Sequence, residues 1–297
     1  MLHRLLFALL LLVAASTPAG APSAPDAPGA TAAATSSDLP NLAHATPVDA
    51  ALQSEYARCD REDAFGELTF PFVDRNGNKW FPCRSDPSHL EKLVQLPAAA
   101  PSRVAVLFTS KLAVDRDGSW IACNKAGITD QCGTALMLPA TTTHKCVVPD
   151  EAASRCVPVP ADRVPYVALP LSGPPDVTAT AFRDKTGIHV GDLGVVIRDG
   201  HAAVPVIVAD TGPFYKVGEG SIALHAALGN DVCKARDDAG NCTESGRDTS
   251  IASGIVTIIF PGSRPVDLTP DTIAATVQER GSQLYQNLLQ AYPPETH

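Results

Sequence analysis

Short apolar runs, each cut off by Gly, Pro or Asp, constrain this chain more than any other feature of its sequence. Leu68–Phe72, Val104–Phe108, Tyr166–Leu169, Leu193–Ile197, Ala202–Ala209 and Ile255–Phe260 are rich in β-branched or aromatic residues and read as strands. Leu193–Ile197 and Ala202–Ala209 flank Arg198-Asp199-Gly200-His201, a hairpin turn with Asp-Gly at its centre. Two helices are predicted. Ser221–Leu228 has Ser221 as its N-cap and Gly229 just past its end. Asp271–Ala291 places Ile273, Val277, Leu284 and Leu288 on one face, with Gly281 interrupting it. The chain therefore reads as mostly β.

Its 297 residues suffice for one large domain or two small ones. The first 21 read as a secretory signal: His3 and Arg4 open it, Leu5–Ala15 is an 11-residue apolar core, and Ala19-Gly20-Ala21 is a cleavage site. That core is too short for an ordinary transmembrane helix. In Pro22–Ala50, 21 of 29 residues are Ala, Pro, Ser, Thr or Gly, the composition of a flexible tether, so the folded domain is expected from about Ala51 onward (residues 51–297). Eight cysteines agree with export and suggest four disulfides, although eight allow 105 pairings. Similar short spacings favour Cys123/Cys132, Cys146/Cys156 and Cys233/Cys242, which leaves Cys59 with Cys83. A zinc site is the alternative, but there is no C-x-x-C and the histidines are scattered.

An internal echo links Val73-Asp74-Arg75-Asn76-Gly77, followed by Trp80 and Cys83, to Val114-Asp115-Arg116-Asp117-Gly118, followed by Trp120 and Cys123. It reads as two hairpins with similar turn chemistry. Asp115-x-Asp117-Gly118 also resembles half of a calcium loop, without the remaining ligands or the closing Glu.

Chemistry concentrates in Val204–Gly229. An apolar strand delivers Asp210 at its end, Thr211-Gly212-Pro213 turns the chain, and Gly218-Glu219-Gly220-Ser221 leads into a short helix. A carboxyl at the end of a buried strand is partly desolvated and holds its proton more tightly. A second one between two glycines leaves space for a ligand to approach. Two carboxyls in different environments, one acid and one base, are what glycosidic hydrolysis uses. On the residues alone, Asp210 could equally bond its own turn and Glu219 could simply favour the helix dipole.

Gly191-Asp192 through Gly229 resembles the signature of fungal-type chitosanases, glycoside hydrolase family 75: a Gly-Asp, a hydrophobic hairpin, Asp210-Thr211-Gly212-Pro213, Lys216-Val217-Gly218-Glu219-Gly220-Ser221, and a helix ending in Leu228-Gly229. Pro165-Tyr166-Val167-Ala168-Leu169-Pro170 is similar to that family's Tyr-Val-x-x-Pro strand, and Lys111-x-x-x-Asp115-x-Asp117-Gly118 to its Lys-x-x-x-Asp-x-Asp-Gly element. The likeness spans roughly residues 110–230. It departs at Ala209, where the family usually has Gly, and at Pro205, which suggests an edge or a bulge.

The resemblance implies endo-hydrolysis of β-1,4-linked glucosamine in chitosan with inversion, by an acidic pair that maps to Asp210 and Glu219, nine residues apart. Asp210 is assigned as acid and Glu219 as base, an assignment that could be reversed. Asp115, Asp117 and Lys111 are second-tier, substrate-binding candidates, with one of the two aspartates an alternative for the base. Asp192, before a strand, reads as structural. The strand–Asp-x-Gly-Pro–helix unit resembles double-psi barrels, so a mostly β, six-stranded double-psi-like β-barrel with peripheral helices and disulfide-tied loops is expected. No cofactor or metal is implied. A net charge of −9 suits a polycationic partner such as chitosan or partly deacetylated chitin and argues against nucleic acid. A secreted monomer, free of the membrane after signal cleavage, is expected. The alternatives are a peptidoglycan-active glycosidase on a related barrel and an expansin-like wall binder without turnover.

Overall fold

The computed structural model describes residues 38–60, 72–73, 79–80, 88–125, 131–140, 156–170, 179–212, 216–246 and 250–295. The predicted signal, the tether up to residue 37, and Cys83, Cys146 and Pro213 lie outside these residues.

In chain order the elements are β1 (Thr46–Pro47), α1 (Ala50–Asp60), β2 (Phe72–Val73), β3 (Lys79–Trp80), β4 (Lys92–Pro97) and β5 (Val104–Asp115), followed by α2 (Trp120–Asn124), β6 (Met137–Pro139), β7 (Cys156–Pro158), β8 (Tyr166–Pro170) and α3 (Ala179–Thr186). Then come β9 (Leu193–Arg198), β10 (Val204–Gly212), β11 (Glu219–Ser221), α4 (Ile222–Ala227), β12 (Cys233–Arg236), β13 (Cys242–Ser245), β14 (Ile251–Phe260) and α5 (Ile273–Ala291).

Six strands close on themselves in the order β5-β11-β8-β10-β9-β14, with β14 returning to β5. This is the expected mostly β, six-stranded barrel. Closure leaves no open edge within the ring. Two of its pairings are parallel, β8 with β10 and β5 with β11, and these pairs carry the site. Strand β4 pairs with β5 outside the ring, and β1 pairs with β4.

Side-chain alternation sorts the barrel into two faces. Val106, Phe108 and Leu112 of β5, Val167 and Leu169 of β8, Val206 and Val208 of β10, and Ile255 and Ile259 of β14 fill the interior. Tyr166, Leu193, Ile207 and Ala209 face outward and pack with Ile273 and Val277 of α5. Farther along, Leu107, Val195, Ile258 and Phe260 meet Tyr285 and Leu288 of the same helix. At Gly281, which interrupts the helical pattern, α5 lies close against Pro205 and the Gly194 carbonyl.

One irregularity decides where the site points. In β10, Val208 pairs with Val167 and the next pairing is Asp210 with Ala168, so Ala209 is an extra, bulged residue. Without it, Asp210 would share the parity of Val206 and Val208 and face the apolar interior. With it, Asp210 emerges on the outer face beside Ala168. The bulge expected near Pro205 therefore lies four residues later. Pro205 itself precedes the stretch of β10 that pairs with β8, where β9 is its ladder partner.

The predicted hairpin is present as β9 and β10, paired antiparallel from Val204 with Val196 to Ile207 with Leu193. Ser221 caps α4 by accepting from Leu224 N, as expected. The echo splits. Its first copy is a hairpin, with Phe72 opposite Trp80, whereas the second ends a strand and starts a helix, because Ser119 accepts from Ala122 N and caps α2. The folded unit also begins earlier than composition suggests. Thr46 and Pro47 pair with β4, Asn41 N donates to Tyr292 O, and the Tyr285 hydroxyl donates to Asp38 O. Residues 38–49 thus dock on the barrel, through backbone bonds that residue composition does not register.

Two disulfides tie loops, Cys123–Cys132 and Cys233–Cys242, both as the spacing predicts. Cys156 is also disulfide-bonded, its expected partner Cys146 lying outside the described residues, as do the side chain of Cys59 and all of Cys83. No helix among the described residues is long and apolar enough to cross a membrane.

Candidate active site

Four acidic side chains meet on the outer face where β5, β8, β10 and β11 end or begin. Strand β8 lies between β10 and β11, and its Ala168 has Asp210 directly beside it on one side and Glu219 on the other. Glu219 also pairs with Ala113 of β5, and Ser221 with Asp115. Pairing residues share a face, so Asp210, Glu219 and Asp115 project the same way. Asp115, Asp210 and Glu219 are all buried. One oxygen from each of Asp115, Asp117 and Asp210 lies within 4.8 Å of the others. Such a set could offer a hard cation three oxygens.

Each acid has its own environment. Asp210 Oδ1 accepts from Ala135 N at 2.9 Å and Thr211 N at 2.8 Å. Both bonds fall on one oxygen, which leaves Oδ2 for a proton. Burial, then the Asp117 charge and more weakly Glu219, raise the Asp210 carboxyl to about 7, against those two amide donors. Asp115 Oδ1 accepts from Asp117 N at 2.9 Å. Burial and the neighbouring charges of Asp210 and Glu219 push Asp115 well above the usual carboxyl range. The Tyr166 hydroxyl, fully buried, donates to Asp117 O at 2.8 Å and adjoins the Asp115 carboxylate. Burial and these carboxylates raise its own pKa, so it stays a phenol.

Glu219 is held differently. Lys216 Nζ is 2.6 Å from Glu219 Oε1, with both side chains largely shielded from solvent. Glu219 Oε2 lies where a β-carbon on Gly212 would be, so the carboxylate can take this position only because residue 212 is glycine. The glycines flanking Glu219 do not open space for a ligand, contrary to the sequence expectation. Gly218 (φ +78°) packs against the Lys111 carbonyl, and Gly220 faces inward against Leu112 and Leu224. Both let β11 press between its neighbours, and the room around the carboxylate comes from Gly212.

Lys111 is buried on β5, on the face of Ala113 and Asp115, and its amide donates to Ser88 O. Asp192 is structural, as expected: it accepts from His189 N at 2.8 Å and Gly262 N at 3.0 Å. Several supporting groups escape a reading of sequence alone. Asp162 accepts from Trp120 N and Cys242 N, joining α2 to β13. His225, fully buried, places Nε2 3.0 Å from Ala113 O and Nδ1 2.9 Å from Asn230 Nδ2, behind the point where Glu219 pairs. The Ala135 amide is 75 residues from Asp210 and carries no side-chain signal at all. Lys216 stands three residues before Glu219, a spacing that could have flagged an ion pair.

No protein-family model matches this chain, and no curated protein matches it.

Proposed function

We propose that this chain is an exported, inverting endo-chitosanase that hydrolyses β-1,4 bonds between glucosamine units. The observation that carries this reading is the placement of Asp210 and Glu219 on either side of Ala168, facing the same way. Two strand spacings, about 9.5 Å, separate their backbones, and the Glu219 side chain reaches across β8 to Gly212 of β10, which brings its carboxylate nearer to Asp210 than the backbones are. In inverting glycosidases the two carboxyls stand about 6.5–9.5 Å apart, leaving room for a water. The two environments differ in the sense the reaction needs. Asp210 holds its proton to about pH 7, while Glu219 is ion-paired with Lys216.

The step follows from these roles. Asp210 Oδ2 gives its proton to the glycosidic oxygen as the bond to the anomeric carbon breaks. A water on the opposite face of the sugar forms the new bond to that carbon and passes a proton to Glu219. The Ala135 and Thr211 amides hold Asp210 Oδ1 throughout and stabilise the carboxylate that forms. The acidic face suits a substrate that is itself a polycation. Disulfides and the N-terminal signal pattern support export.

The test is mass spectrometry of products from highly deacetylated chitosan and from chitin, using wild type, Asp210→Asn and Glu219→Gln. Glucosamine oligomers from chitosan, absent with either variant, are expected. Folded, disulfide-bonded wild type that releases no oligomers would overturn the reading; oligomers from peptidoglycan, or polymer binding without new reducing ends, would point to the glycosidase and wall-binder alternatives.

A further inference from the structure

Glu219 is seated by two residues that have no part in the chemistry. One carboxylate oxygen, Oε1, is 2.6 Å from Lys216 Nζ, and the other, Oε2, lies against Gly212 in the space a side chain would fill. The backbone of Glu219 is fixed as well, between Ala113 and Ala168. A glutamate has three rotatable side-chain bonds, and an exposed one would sample several rotamers. This one is closed in from both ends. The ion pair is little exposed, unlike Lys234–Glu244, whose side chains are 60% and 64% exposed and which belongs to the weak surface class.

We infer that Lys216 is a positioning residue: its ammonium holds Glu219 Oε1 so that the carboxylate rests over Gly212 with a single orientation toward the reacting water. This rests on the proposed hydrolysis for its catalytic meaning, but the seating itself does not. A water-activating group displaced by about 1 Å costs on the order of 10²-fold in rate. Substrate affinity, which depends on contacts along the whole sugar chain, should change much less. Lys216 therefore belongs to kcat rather than to KM.

The test compares Lys216→Met, Lys216→Arg and the surface control Lys234→Met with wild type on a glucosamine hexamer, with thermal melts to confirm folding. Lys216→Met is expected to lower kcat by about 10²-fold, the cost of a misplaced base, with KM within about threefold. Lys216→Arg should restore part of the loss, because a guanidinium can make the same bond. Lys234→Met should match wild type. A Lys216→Met enzyme with unchanged kcat, or one that loses only KM, would overturn the inference. A second readout needs no turnover: crystal structures of wild type and Lys216→Met. Glu219 should leave the Gly212 seat or adopt several rotamers in the variant; an unmoved carboxylate would overturn the inference. If wild type lacks activity on the hexamer, the proposed function fails, and the crystallographic comparison still decides the role of Lys216.

Discussion

The amide of Ala135 donates to Asp210 Oδ1 at 2.9 Å, joining a loop to a carboxyl 75 residues further along the chain. That loop is anchored by the Cys123–Cys132 disulfide and by Gly118 N donating to Gln131 O. The cross-link therefore reaches the acid through a few residues of backbone. Replacing both cysteines by serine should cost about 2–3 kcal/mol of stability by the loop-closure argument. It should also weaken the Ala135 bond and lower kcat, whereas the Cys233–Cys242 pair makes no such link to Asp210. Melting curves and initial rates for the two double variants check this contrast.

Removing either carboxyl should abolish turnover while leaving the barrel folded. General acid–base groups contribute about 10²–10⁴-fold each, so Asp210→Asn and Glu219→Gln should lose at least about that much in kcat. Asn at 210 keeps an oxygen for the Ala135 and Thr211 amides, and circular dichroism should show the wild-type fold. Rate measurements on labelled oligomers check the first part.

The pH profile should fall on its alkaline side. Asp210 must be protonated to act as acid, and its carboxyl titrates at about 7. Activity should therefore drop as pH rises through that value. The Asp117 charge helps hold the proton, so Asp117→Asn should move this limb to lower pH. A profile of kcat/KM against pH for wild type and Asp117→Asn tests the sign.

Stability should follow the same groups. Asp115 and Asp210 bind protons more tightly in the fold than at their ordinary value of 3.8. Between that value and the raised one, the native state carries more protons than the unfolded chain, so stability falls as pH increases. Tm should be lower at pH 8 than at pH 5.5 as far as these two groups are concerned. The difference should shrink in Asp210→Asn, which has no charge to bury; calorimetry at the two pH values checks this.

Gly212→Ala should inactivate without unfolding. The added methyl would occupy the place of Glu219 Oε2, and the end of a flexible side chain can swing away more cheaply than the backbone can move. A loss of about 10²-fold is expected from such a displacement. Initial rates and melting curves for Gly212→Ala check both parts.

Local chemistry was the legible part of the sequence. The β9–β10 hairpin and the Ser221 cap depend on residues a few positions apart, and so does the order strand, acid, turn, second acid, helix. What remained hidden depends on distant partners. Strand β11 is three residues, Glu-Gly-Ser, with no strand propensity, and it exists because β5 and β8 pair with it on both sides. Strand β5 runs on through Ser110 and Lys111 to Asp115, past the apolar run that announces it, because β14 pairs along most of its length. The second turn, Asp115-Arg116-Asp117-Gly118, differs from the first in one residue, Asp117 for Asn76, but is followed by Ser119, whose hydroxyl diverts it into a helix. Of the site, the acids were visible and their surroundings were not: Ala135 acts through its backbone, and Lys216 and Gly212 gain meaning only where Glu219 falls.

The bulge at Ala209 has a consequence for comparing sequences. A chain could retain every letter of Asp210-Thr211-Gly212 and still lose the acid, if a single deletion upstream removed the extra residue and turned the carboxyl into the apolar interior. Conversely, a chain with a different strand sequence but the same one-residue insertion would present its carboxyl correctly. For homologues of this barrel, gap placement before the aspartate is thus a better guide to an intact acid than percentage identity across the strand.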